Sequence, residues 1–264
     1  MNMKQYMIEE IFSRFGAVKR ARDCFLYTSK GVRLVDMYQE GGRAILGWGK
    51  GSAVTVFKNV LERKIIGTFA TDFSPRVSGG QSQLSRAVSE LLAGERFVHI
   101  FNSRNDALDF AKSNSLCAVD FIPWNQENID WREKDCVLIA PPFPFGDTVF
   151  VIAMKEDVPG GDSVYCVPAP LSAAITRSIY DLISELQTRE EKDWFIYDTV
   201  LTKYWMRKGP YLFPKVGQER YKDFIVHCLD CGIVISPDFN VPSIVPFGAD
   251  KGNFTKLKNN PFEF

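Results

Sequence analysis

The chain has 264 residues, 45% hydrophobic and 24% charged, the composition of a globular protein with room for one large domain or a large and a small one. Lys plus Arg and Asp plus Glu both total 32, so the formal net charge is zero and no whole-chain field favours nucleic acid or an anionic membrane as partner. The six cysteines are scattered in apolar contexts, Glu9 and Glu10 fall where a signal peptide is apolar, and no run reaches the length of a membrane span. These features lead us to expect a soluble cytoplasmic protein with reduced thiols.

In chain order, apolar Met3, Met7, Ile8, Ile11, Phe12 and Phe15 form a helical stripe that Gly16 stops. Cys24–Tyr27 and Val32–Tyr38 flank Thr28-Ser29-Lys30-Gly31 and read as a β-hairpin, Gly31 supplying a positive φ. A glycine cluster, Gly41 to Ser52, leads into a helix over 53–63. Gly47-x-Gly49-x-Gly51 lacks the spacing that brings backbone against a pyrophosphate, so it reads as turn chemistry. A loop over 65–83, with Pro75, Gly79 and Gly80, precedes a helix over 84–92.

The centre of the chain is Phe97-Val98-His99-Ile100-Phe101, a strand, followed by Asn102-Ser103-Arg104-Asn105 and a helix through Ala107, Leu108 and Ala111. The turn between them aims free backbone N–H groups past the strand end, where a phosphate can bind. Ser103 and Asp106 also have the spacing of a capping box, which needs no ligand, and this reading is favoured over anion binding. Three further apolar runs, 118–122, 136–140 and 149–153, predict buried strands of a parallel sheet covered on both faces. Pro170 to Leu186 is a strong helix. Beyond it the pattern predicts helices over 192–206 and 220–231 and a strand over 232–236.

Several of these segments, in this order, resemble the class III (subgroup II) pyridoxal-phosphate (PLP)-dependent aminotransferases of fold type I. Arg20 to Tyr27 and Val35-Asp36 are similar to that family's opening hairpin, and Ile45-Leu46-Gly47-Trp48-Gly49 stands where the family has a Leu-Gly-His turn. The helix over 53–63 with Ile66-Gly67-Thr68-Phe69 also matches. Phe101 to Ala107 resembles the family's Asn-Ser-Gly-Thr-Glu-Ala phosphate turn, Pro170 to Ala174 its Asn-Pro-Leu-Ala-Ala helix start, and Cys231 to Pro237 its C-terminal strand. The likeness covers most of the chain and is thin between Lys112 and Ser163.

The resemblance implies an α/β fold, fold-type-I PLP-transferase-like, with a mainly parallel sheet flanked by helices. Its small α+β domain draws on both chain ends: residues 1–66 and 191–264 contribute to it, around a reduced central domain of 67–190. It also implies a homodimer with active sites at the dimer interface. Asn102, Ser103, Arg104 and Asn105 become the expected cofactor-phosphate contacts, and Lys155 the expected Schiff-base lysine.

PLP chemistry needs a lysine, a carboxylate for the pyridine nitrogen, an aromatic cover and phosphate donors. The strand expected to carry the carboxylate ends in Pro141-Pro142. Glu156 and Asp157 beside Lys155 favour a charged ammonium, against the lowered pKa a Schiff-base lysine needs, so a solvated loop lysine is the favoured reading. His99 reads as a core histidine, and Tyr27 and Trp48 as buried aromatics. Cys228-x-x-Cys231 lies at a helix C-terminus with only His227 adjacent, which suits buried thiols better than redox or zinc chemistry. The expectation is a shortened, degenerate aminotransferase-like protein without transaminase activity or bound PLP, acting by binding a small anionic ligand or a protein partner. The alternative is an active PLP-dependent transferase using Lys155.

Overall fold

A computed structural model describes residues 2–67, 70–74, 82–124, 129–145, 149–159 and 166–263. The loop positions Pro75, Gly79 and Gly80, and the glycines of Pro159-Gly160-Gly161, lie outside the described residues. The chain opens with α1 (Met3–Phe15), then β1 (Val18–Arg22), β2 (Phe25–Thr28) and β3 (Arg33–Asp36). Next come α2 (Ala53–Glu62), α3 (Gln83–Leu91), β4 (Phe97–Phe101), α4 (Arg104–Ser113) and β5 (Ala118–Phe121). β6 (Cys136–Ile139), β7 (Phe150–Met154) and the long α5 (Ala169–Thr188) follow. The C-terminal part holds α6 (Lys192–Phe195), α7 (Asp198–Leu201), β8 (Trp205–Lys208), β9 (Tyr211–Pro214) and α8 (Tyr221–Asp230). It closes with β10 (Ile233–Val234), β11 (Ser243–Ile244) and α9 (Thr255–Asn259). None of the described helices is long and apolar enough to cross a membrane.

Two compact units form, residues 51–188 and residues 1–50 with 189–264. Helix α2 lies in the unit 51–188, where Val60 packs with Ala169 and Ala173 of α5.

In the unit 51–188 the sheet order is β4-β7-β6-β5. Its strands alternate between two cores. Val98, Ile100, Val137, Ile139, Val151 and Ala153 face α3 and α5, among Leu84, Val88, Ile175 and Ile179. Phe101, Cys136, Leu138, Ile152 and Met154 face α4, among Ala107, Phe110 and Ala111. Both faces of β4, β7 and β6 are therefore dry, which is why those strands read as apolar runs, while the edge strand β5 is only partly buried. The expected parallel sheet is corrected in one respect: β4, β5 and β6 share a direction, but β7 runs against β4 and β6, and only β5 and β6 pair in parallel. An apolar run reports cover on two faces, not strand direction, and the short β6–β7 connection reverses the chain as a hairpin does.

In the other unit, β1-β2-β3-β10 form one sheet and β11-β9-β8 a second. β10 pairs in parallel with β3, Ile233 opposite Val35. The helix expected over 192–206 is corrected to the two short helices α6 and α7 and the start of β8. Trp205 is fully buried, its ring centroid 5.1 Å from that of Phe224 and 5.9 Å from that of Tyr204, so aromatic packing overrides the helical pattern there. Gly209, at φ 54°, turns β8 into β9.

Two buried aspartates hold the segments around the glycine cluster. Asp36, at the end of β3, accepts from Trp48 Nε1 at 2.7 Å and from the amides of Tyr38 and Gln39 at 3.0 and 2.9 Å. Asp181 of α5 accepts from the amides of Ser52 and Ala53, at 2.9 and 3.2 Å, and so sits on the N-terminus of α2. Its other oxygen takes a hydrogen bond from Arg177 Nε at 3.0 Å. Gly51, at φ +77°, makes room: a Cβ there would run into the Asp181 carboxylate.

Burial raises the Asp36 carboxyl to about 6, against 3.8 for the free group, more than its three hydrogen bonds lower it. Between about pH 4 and 6 the native chain then holds more protons than the unfolded chain, so this group's contribution to stability falls as pH rises. The loss is about 3 kcal/mol in all. Urea unfolding of wild type and Asp36→Asn across that range is expected to show this slope as a difference between the two; parallel curves would refute it. Asp181→Ala removes a helix cap and leaves two buried amides without an acceptor, an expected loss of about 2 kcal/mol. Asp181→Asn, which keeps one acceptor, is expected to lose less in the same assay.

Candidate functional site

Because β4, β5 and β6 point the same way, their C-terminal ends gather at one end of the sheet. The Asn102–Asn105 turn lies there, with Ile122–Trp124 after β5 and Ala140–Phe145 after β6. Ser103 is the N-cap of α4, its Oγ accepting from the Asn105 amide at 3.2 Å. Ser103 thus caps α4 through the second helical amide rather than through Asp106, which stands in the first turn at the position a capping box would use. Asn102, Arg104 and Asn105 are exposed. Arg104 Nη2 donates to Asp120 Oδ2 at 2.7 Å, with both side chains about half exposed. An ion pair of that exposure is worth less than about 1 kcal/mol, so it opposes an incoming anion only weakly. Asp120 is a carboxylate at the turn that the sequence reading did not single out; its signal was the polar break Val119-Asp120-Phe121 in an apolar strand.

Lys155 is at the other end of the sheet. Antiparallel pairing sets Met154 opposite Phe97 and Phe150 opposite Phe101. Lys155 therefore lies beyond the start of β4, a strand length of about 13 Å from the turn that follows its end. Its Nζ pairs with Asp135 Oδ1 at 3.0 Å and donates to the Glu133 carbonyl at 3.1 Å. The structure does not bring Lys155 together with Asn102, Ser103, Arg104 and Asn105. The whole β6–β7 connection, 140–149, contains no lysine, and neither do the turn after β4 and the residues 122–124 that leave β5. Among the described residues, this end of the sheet offers anion contacts and the carboxylates Asp106 and Asp120 but no amine for a Schiff base, and so does not fit covalently held PLP.

The remaining residues singled out from the sequence lie away from this turn or are held by internal partners. The glycine turn directs the α2 amides at Asp181, and an internal carboxylate fills the place an anion would take. His99 is 2% exposed, with Nε2 2.8 Å from the Val158 carbonyl and its ring edge-on to Phe110. Cys228 and Cys231 are buried free thiols at the C-terminus of α8, and burial raises the pKa of both. Among the described residues no group of three or more His, Cys, Asp or Glu is placed to hold a metal ion. Trp48 is tied to Asp36, and Tyr27 lies half-buried beneath Arg20.

No family model matches the sequence. An uncharacterized protein of Treponema pallidum is 26% identical, over 90% of this chain and 91% of its own length. One from Borreliella burgdorferi is also 26% identical, over 91% and 89%. Among solved structures, the ornithine δ-aminotransferase of Plasmodium falciparum superposes with a TM-score of 0.67 at 11% identity, over 98% of this chain and 97% of that one. A glutamate-1-semialdehyde aminomutase from Pseudomonas aeruginosa gives 0.68 at 8% identity, over 97% and 96%. At such identities the likeness concerns the fold alone. The chain has a mixed α/β fold that matches the aminotransferases of fold type I.

Proposed function

We propose that this protein keeps an aminotransferase fold without transaminase activity and acts by binding, with the exposed Asn102–Asn105 turn as the seat of a small anionic group. The observation that carries the reading is the separation of Lys155 from that turn by the length of β4. A Schiff base needs the amine and the phosphate seat within one cofactor's reach, and Lys155 is instead a charged surface partner of Asp135. The helix N-terminus, the Ser103 cap and the loosely held Arg104 support an anion there.

The alternative, an active transferase using Lys155, differs in one measurable respect. Purified protein mixed with PLP is expected to show no visible aldimine band, and borohydride reduction followed by peptide mapping is expected to label no single lysine. A reducible band mapping to one lysine would overturn the proposal, and its loss in Lys155→Ala would restore the alternative.

We also read the chain as a homodimer, supported by apolar Val54 and Leu61, one helical face of α2 left 44% and 45% exposed. Sedimentation is expected to give twice the chain mass, and Leu61→Glu to shift it to the monomer; a wild-type monomer would reject this reading.

A further inference from the structure

A second surface, in the unit formed by residues 1–50 and 189–264, carries a different chemistry. On one face of its first sheet, register places Arg20, Tyr27 and Arg33 in a row across β1, β2 and β3. The next row on the same face begins with Arg22 and Phe25. Both arginines of the first row lie over rings: the Arg20 guanidinium carbon is 5.3 Å from the Tyr27 centroid and that of Arg33 is 4.4 Å from the Phe25 centroid. Arg33 Nη2 also donates to Asn253 Oδ1 at 3.0 Å.

Among the described residues neither Arg20 nor Arg33 has a carboxylate partner, and Arg22 meets only its exposed neighbour Asp23, at 3.4 Å. The whole-chain charge of zero hides this local excess. Guanidinium planes held on rings are pre-organised: their forks suit phosphate oxygens and their faces accept a stacked base. The rows lie about 7 Å apart along the strands, and Arg20 and Arg33 about 10 Å apart across them, so the cations follow an extended chain of anions rather than one small ion. An acidic peptide added as a strand to β1 fits less well, because a register shift between Val18 and Arg20 interrupts that edge. A duplex fits less well too, since a sheet face offers no element shaped to enter a groove.

We propose that the face formed by Arg20, Arg22, Tyr27 and Arg33 binds single-stranded nucleic acid, its phosphates on the arginines and a base on the Arg20–Tyr27 stack. Three cations give an expected salt slope of about −2 for log K against log salt.

The test is fluorescence anisotropy of the intact chain with labelled oligouridine and oligothymidine of about 12 nucleotides, between about 50 and 200 mM salt. Arg20→Ala with Arg22→Ala is expected to weaken binding about tenfold and to cut the slope to about a third. Tyr27→Leu, which keeps apolar bulk, is expected to weaken it about fivefold with the slope unchanged. Lys112→Ala, an exposed lysine of the other unit, is expected to change nothing. No binding at the lowest salt, equal losses in the Lys112 variant, or displacement by polyglutamate of equal charge as effective as by unlabelled oligonucleotide would overturn the proposal. The last outcome would assign the face to acidic peptides.

Discussion

A carboxylate at the start of a helix fixes the packing of the central unit. Asp181 holds the first two amides before and within α2, and Arg177 holds Asp181 from one turn earlier on α5. With the start of α2 pinned, Val60 further along it meets Ala169 and Ala173, and α5 can press Ala174, Ile175 and Ile179 onto the sheet with α3. Small residues at that contact let the two helices approach closely. Gly51 is required because the carboxylate occupies the space of a side chain. A glycine turn before a helix, a common seat for external phosphate, is here satisfied from within.

The resulting fold shows how far architecture and chemistry can part. The sheet retains a strand-turn-helix unit whose turn faces outward with a serine cap and an arginine. Lys155 and the Asn102–Asn105 turn, which the resemblance would bring together, stand at opposite ends of the sheet because β7 runs against β4.

That reversal also marks the limit of what the sequence conveyed. The strand Phe97–Phe101, the helix from Pro170 and the hairpin around Gly31 were legible because periodicity and turn chemistry are local signals. Direction of pairing is not local: 136–139 and 150–154 are equally apolar, and nothing within either run says that they are antiparallel. The hairpin Trp205–Lys208 and Tyr211–Pro214 was obscured because Trp194, Leu201 and Trp205 mimic a helical stripe, while the turn at Gly209-Pro210 was the better guide. Within the site, the turn residues were legible from composition. Asp120, Asp36 and Asp181 were not, since their partners lie 12 to 129 residues away in sequence.

The parallel pairing of β3 with β10 has a consequence for how the chain reaches its native state. Val35 N bonds to the carbonyl of Gly232, so the first sheet is completed by a strand made after the whole of the unit 51–188. The unit 51–188 is a single continuous stretch and has all its residues once α5 has left the ribosome. Until β10 arrives, β3 is an open strand edge with Leu34 and Val35 beside it, the kind of edge that recruits other chains. Assembly of the first sheet therefore has an imposed order: the β2–β3 hairpin keeps an open edge until β10 has been made.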